Sequence, residues 1–158
     1  MKQCIFVLAA AALVTGCGDF VDPGLGAGAG TSDVTGSVES SSFEVQSGSA
    51  DQSYEDNSYV ITLANTPEYA CTSSSGLPGD YLTVVISEID GPTTVDAEGH
   101  VYFNSFRDGI SVGEAADGGS VTIDTVDDFA GEIRGSVDAT GPNSEVSGNF
   151  SVEICSSY

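Results

Sequence analysis

The stretch FAGEIRGSVDATGPNSEVSGNFSVEIC, residues 129–155, decides the fold. Its apolar residues recur at every second position. Val146, Gly148, Phe150, Val152 and Ile154 share one face, and Ser147, Asn149, Ser151 and Glu153 share the other. Phe129, Gly131, Ile133, Gly135 and Val137 likewise alternate with Glu132, Arg134, Ser136 and Asp138. A period of two is the signature of a strand with one face on a core and one in water. Just upstream, Val121 and Ile123 alternate with Thr122 and Asp124. Asp127-Asp128 and Gly141-Pro142-Asn143 supply turn chemistry between these runs. Residues 119–155 therefore predict a three-stranded antiparallel meander.

Working outward, the remaining runs are Val34–Val45, which looks broken, Asn57–Ala64, Tyr81–Glu88 and Gly99–Phe106. Pro67, Pro78 and Pro92 fall between them, where a missing N–H does no harm. From residue 31 on, β-branched residues abound and the leucines are Leu63, Leu77 and Leu82. No window carries a 3.6-residue apolar period. The expected fold is all-β: an antiparallel β-sandwich of about seven or eight short strands, with a small closed barrel as the alternative. The outward faces carry charges and lack an aromatic girdle, which argues against a membrane-spanning barrel.

Charge narrows the partners. Among 158 residues, 24 are Asp or Glu and 3 are Lys or Arg, a formal net charge of −21. Nucleic acid needs clustered cations to displace counterions, and anionic lipid needs a polybasic patch; neither is available. At 40% hydrophobic residues the chain still has the means to build a core. The acidity reads first as a solvated, self-repelling surface, and salt adaptation competes with any functional account of it.

The N-terminus reads as an address. Met1-Lys2 is a minimal positive region, and Ile5–Val14 is a ten-residue apolar run. A bilayer core of ~30 Å needs about 20 residues, so the run suits a signal peptide rather than a span. Val14-Thr15-Gly16-Cys17 follows it and resembles the lipobox of bacterial lipoproteins. The family prefers Leu where Val14 stands. The resemblance implies cleavage between Gly16 and Cys17, with Cys17 diacylated and becoming the first mature residue. An ordinary secretory signal with a chance cysteine is the rival. Two acyl chains give stable membrane attachment where one is marginal. Gly18 rather than Asp follows the cysteine, which by the family's sorting rule favours the outer over the inner membrane. The expected organisation is a signal peptide over 1–16, a lipidated Cys17 and flexible Gly/Ala-rich tether over 17–32, and one β domain over 33–158.

Of four cysteines, Cys4 would leave with the signal peptide and Cys17 would take lipid. Cys71 and Cys155 remain, and in an exported chain that remainder suggests one disulfide. Free thiols or a metal site are the alternatives, but no C-x-x-C spacing is present. Closing about 84 residues would stabilise the fold by roughly 4–5 kcal/mol on the chain-entropy argument. The layout of a tether, YVITL (59–63) leading to a Cys, GSVTI (119–123), GEIRGSV (131–137) and a closing VSGNFSVEIC (146–155) resembles small uncharacterised bacterial lipoproteins. That resemblance implies a single disulfide-pinned β-sandwich and brings no catalytic residues.

Chemistry is sparse. His100 is the sole histidine, and it lies in a strand-like run with no G-x-S-x-G elbow anywhere. Acidic pairs able to hydrolyse glycosides would arise by chance among so many carboxylates. Calcium is the cofactor the oxygen-rich loops suit best. Its weak candidates are Asp124, Asp127 and Asp128; Asp51 with Glu55, Asp56 and Asn57; and Glu114 with Asp117. None fits D-x-[DN]-x-[DN]-G. Two functions remain: a non-enzymatic envelope module that binds a protein or glycan partner or serves structurally, or an exported carboxylate-based hydrolase. The first predicts an exposed aromatic patch from Tyr54, Tyr59, Tyr69 or Tyr81; the second predicts a cleft with perturbed acids.

Overall fold

The computed structural model of the chain describes residues 32–53, 57–67, 71, 78–89 and 91–155. The signal peptide, Cys17 and nearly all of the tether lie outside the described residues, as do Tyr54, Glu55, Asp56 and Tyr69. The described chain is all-β and contains no helix. Its strands are β1 (Thr35–Val38), β2 (Ser41–Glu44), β3 (Ser47–Ser53), β4 (Ser58–Ala64), β5 (Gly79–Ile86), β6 (Thr93–Asp96), β7 (Val101–Arg107), β8 (Ile110–Ala115), β9 (Gly118–Asp127), β10 (Glu132–Thr140) and β11 (Glu145–Cys155).

They form one strongly curled, open sheet with the order β6-β9-β10-β11-β3-β4-β5-β7-β8. The expected meander is β9-β10-β11, antiparallel throughout. The expected break in Val34–Val45 is the β1–β2 hairpin. Strands number eleven among the described residues rather than seven or eight, because β3 lacks apolar alternation and β6 and β8 are too short for it to stand out in sequence. One pairing is parallel. β11 is long enough that Glu145–Ser147 pairs with β1, while Glu153–Cys155 runs parallel to Ser49–Asp51 of β3. This switch of partner along one strand joins the two arms of the sheet.

The alternation read from sequence is what fills the concavity. Val146, Phe150 and Val152 of β11, Ile133 and Val137 of β10, and Val121 and Ile123 of β9 are all buried. From the other arm come Ile61 and Leu63 of β4, Leu82, Val84 and Ile86 of β5, and Val101 and Phe103 of β7, in the same cluster. Two expectations change. Phe129 is not part of the alternating run but sits at the tip of the β9–β10 turn, fully exposed. Tyr59 belongs to the core at 2% exposure rather than to a surface aromatic patch. Its register partner is Ile86, on the inward row.

Gly135 shows why this sheet tolerates little change. The β9–β10 register shifts between Arg134 and Gly135, leaving Asp124 as an extra residue in a bulge. A Cβ at Gly135 would fall on the Thr122 carbonyl oxygen and within 2.9 Å of the Phe150 ring.

The outer face is wet except near β3. There Ser47, Ser49, Thr62 and Ser151 are buried although polar. The Ser47 hydroxyl donates to the Thr66 carbonyl. Cys71 is disulfide-bonded to Cys155, across 84 residues of sequence, with Cα atoms 5.2 Å apart. The connection from β4 to β5 is thereby fastened to the last strand, as the cysteine arithmetic predicts.

Candidate functional site

The β7–β8 hairpin builds the most distinctive surface of the molecule. Arg107 and Ile110 pair across the two-residue loop Asp108-Gly109, where φ is 52° and 79°. Two positive φ values define a type I′ turn, whose twist suits a tight hairpin and for which Asp-Gly is a preferred sequence. Register then fixes what lies side by side. Asp80 of β5 is opposite Ser105 of β7, and Ser105 is opposite Val112 of β8. Arg107 and Ile110 form the neighbouring pair on the same face.

Asp80 is only 3% exposed. Its carboxylate accepts a 2.7 Å bond from the Ser105 hydroxyl, and Arg107 Nη2 donates to both oxygens at 2.9 and 2.6 Å. The Asn65 side-chain oxygen accepts from the Asp80 backbone N–H. A buried carboxylate needs such partners to offset the loss of water. These bonds also fix the Arg107 head, which is 54% exposed, at the edge of a groove of about 330 Å³. Ile110 and Val112 line that groove at 64% and 46% exposure, together with Glu39, Ser105, Arg107 and Asp108.

Glu39 comes from the β1–β2 turn. Glu39 and Ser40 both hold positive φ, at 48° and 62°, without being glycine or asparagine. Such backbone costs of order 1–3 kcal/mol per residue and persists only where its surroundings hold it. Here Ser144 Oγ accepts from the Glu39 N–H and the Asn143 carbonyl accepts from the Ser40 N–H, each at 3.0 Å. Asn143 is itself held by Glu114 at the end of β8, through its backbone and side-chain N–H groups. Burial works to raise the Glu114 carboxyl, but bonds from Ser144 and Asn143 outweigh it and bring the pKa below the ordinary value.

The residues singled out in sequence are scattered. Asp124 is in the β9 bulge, and Asp127 caps the following turn by accepting from the N–H groups of Phe129 and Ala130 at 3.1 and 2.8 Å. Asp128 Oδ1 lies 3.5 Å from the Tyr59 hydroxyl. Asp127 and Asp128 share a second groove of about 320 Å³ with Glu132 and Arg134. Hydrogen bonding by Arg134, then by Ser151, lowers the Glu132 pKa. Glu132 in turn raises that of Arg134. Among the described residues no three His, Cys, Asp or Glu side chains converge as a metal cluster. Asp51 pairs in register with Cys155, and desolvation raises its pKa. His100 lies in the turn before β7 rather than inside a strand, with Nδ1 facing the carbonyls of Asp96 and Glu98. Tyr81 is half-buried.

Sequence reasoning missed Asp80, Ser105, Arg107, Ile110 and Val112. Asp108-Gly109 between Phe106-Arg107 and Ile110-Ser111-Val112 was the available signal, a two-residue hairpin turn. Compared with known protein families, curated proteins and solved structures, the chain matches none.

Proposed function

We propose that the protein is a lipid-anchored module of a bacterial cell envelope, held by a diacylated Cys17 and displaying an acidic, non-enzymatic β domain that binds a partner. The Cys71–Cys155 disulfide carries this reading. Such bonds belong to oxidising compartments. This one uses both cysteines of the β domain, which leaves Cys17 of Val14-Thr15-Gly16-Cys17 for the lipid. The outer membrane is the favoured address, because Gly18 and not Asp follows. Within the domain, the arms of the curled sheet act as facing sandwich layers; the strand order ending on β6 and β8, which do not pair with each other, supports this over a closed barrel.

The binding role is favoured over a hydrolase by what the groove does with its buried acid. Asp80 is buried and accepts three hydrogen bonds, one from Ser105 and two from Arg107, so it is held as a structural charge rather than poised to act on a substrate. Metabolic labelling with palmitate tests the anchor. The wild-type chain incorporates label and Cys17→Ser does not; equal labelling of the two, or none in either, refutes it.

A further inference from the structure

We infer that the free edge of β8, with the groove beside it, is a docking site for an extended cationic segment of a partner protein, which adds to the sheet as a further strand. This deepens the binding-module reading and is independent of the lipid anchor.

The two ends of the main strand order differ, and the third edge, β2, is only four residues long and ends on Glu44. β6 is four residues long, follows Pro92 and ends on Asp96, features that blunt an edge. β8 is six residues long, has neither Lys nor Pro, and is exposed along nearly its whole length. Arg107 and Ile110 flank a two-residue turn and so form a hydrogen-bonded pair. Alternation then turns the backbone N–H and C=O groups of Ile110, Val112 and Glu114 toward β7; among the described residues it leaves the N–H groups of Ser111, Gly113 and Ala115 and the carbonyls of Ser111 and Gly113 without a strand partner, while the Ala115 carbonyl lies beside Gly141. An unprotected row of this kind is a template for strand addition. Ile110 and Val112 offer apolar contact to alternate side chains of an incoming strand.

Charge selects the occupant. Arg107 is neutralised by Asp80, so the uncompensated charges at the groove are the carboxylates of Glu39 and Asp108. They sit on a chain of net charge −21. A second copy would bring the same excess against itself, and the chain's own tether segment carries Asp19 and Asp22 but no cation. A basic strand meets complementary charge at the rim, apolar contact in the groove and backbone partners along the edge.

The test uses the full-length chain in non-ionic detergent and a fluorescent peptide of about eight alternating Val and Lys residues, a typical strand length. Saturable binding is expected, weakened by salt, with slowed amide exchange at Ser111, Gly113 and Ala115. Ser111→Pro removes an outward donor without breaking a β7 bond, and Val112→Lys puts a like charge in the groove. Each should weaken binding about tenfold, the scale of one lost hydrogen bond at the upper end of its range. A peptide with Glu in place of Lys should not bind. Absence of saturable binding, or equal binding by wild type and both variants, overturns the inference. So does a dimer that forms at salt low enough for the peptide to bind and is abolished by Ser111→Pro, which would assign the edge to a second copy. Each of these results leaves the palmitate experiment free to succeed or fail separately.

Discussion

Removing the Arg107 guanidinium should cost more than its exposure suggests. Arg107 is the charged partner of Asp80, a carboxylate 3% exposed, and bonds both of its oxygens. Arg107→Ala leaves that charge with the Ser105 hydroxyl and no cation. Breaking a fully buried pair costs about 3–5 kcal/mol. The Arg107 head is 54% exposed, so solvent screening lowers the figure to about 2–3 kcal/mol. Asp80→Ala frees Arg107 into water and leaves the buried Ser105 hydroxyl unpaired, at about 1–2 kcal/mol. The double variant should lose about 1–2 kcal/mol, because the stranded carboxylate that makes Arg107→Ala costly is gone. Coupling is then about 2 kcal/mol. Urea denaturation of the oxidised chain, followed by far-ultraviolet circular dichroism, measures all three, provided the m-value is unchanged. Arg107→Ala within about 0.5 kcal/mol of wild type, or a double variant equal to the sum of the singles, would refute the assignment of Asp80 as a dependent buried charge.

Other perturbations read different parts of the fold. Cys155→Ser should lose roughly 4–5 kcal/mol, and reducing agent should do the same to the wild type, because both release a loop of about 84 residues; urea midpoints decide. Gly135→Ala should cost more than about 2 kcal/mol, since the new methyl meets the Thr122 carbonyl and the Phe150 ring; thermal unfolding reports it. Glu132 has its folded pKa lowered by Arg134 and Ser151, so its stabilisation is complete above the ordinary glutamate pKa and disappears as pH falls through the depressed value. Glu132→Gln should therefore flatten the acid limb of the stability–pH curve, and an unchanged limb would count against it. Phe129→Ser should stay within about 0.5 kcal/mol of wild type in urea, because a fully exposed ring buries nothing to lose.

What the sequence makes legible follows the physics of each element. The meander over 119–155 is readable because one face is dry, and a dry face forces alternation onto β9, β10 and β11. β3 is not readable: SGSADQS has no apolar period. It is a strand because its small residues fit between β4 and β11, with Ser47, Gly48, Ser49 and Ala50 all buried. β6 places Val95 against the core and β8 is exposed along nearly its whole length, so neither carries an apolar run long enough to mark it as a strand. The β9 bulge at Asp124 and the loop position of Phe129 depend on register, which single-strand periodicity does not encode. Cys71 and Cys155 are legible because few cysteines leave few pairings. The Asp80–Ser105–Arg107 cluster is not, since residues spread over 28 positions meet only through the β5–β7 pairing, whose register the sequence does not state.

Acidity and the open edge of β8 explain one another. A soluble β protein needs a guard on an exposed edge, and lysine is the usual one. This chain has 3 basic residues in all, and both arginines of its β domain are bonded to Asp80 and Glu132. Edge-to-edge pairing brings strands to about 4.8 Å, inside a Debye length of about 8 Å at physiological salt. At that range the carboxylates beside the edge, Glu39, Asp108 and Glu114, repel their counterparts on the next copy with little screening, on a background of net charge −21. Net charge can thus replace local guards, and it does so selectively. It rejects copies of the same chain while leaving β8 attractive to a strand of opposite sign. Raising salt should weaken both effects together, so self-association through β8 should appear at the ionic strength where the Val/Lys peptide is released. Sedimentation and peptide anisotropy on one salt series would show the two transitions coinciding; peptide release with no trace of self-association at any salt would mean that something other than charge guards the edge.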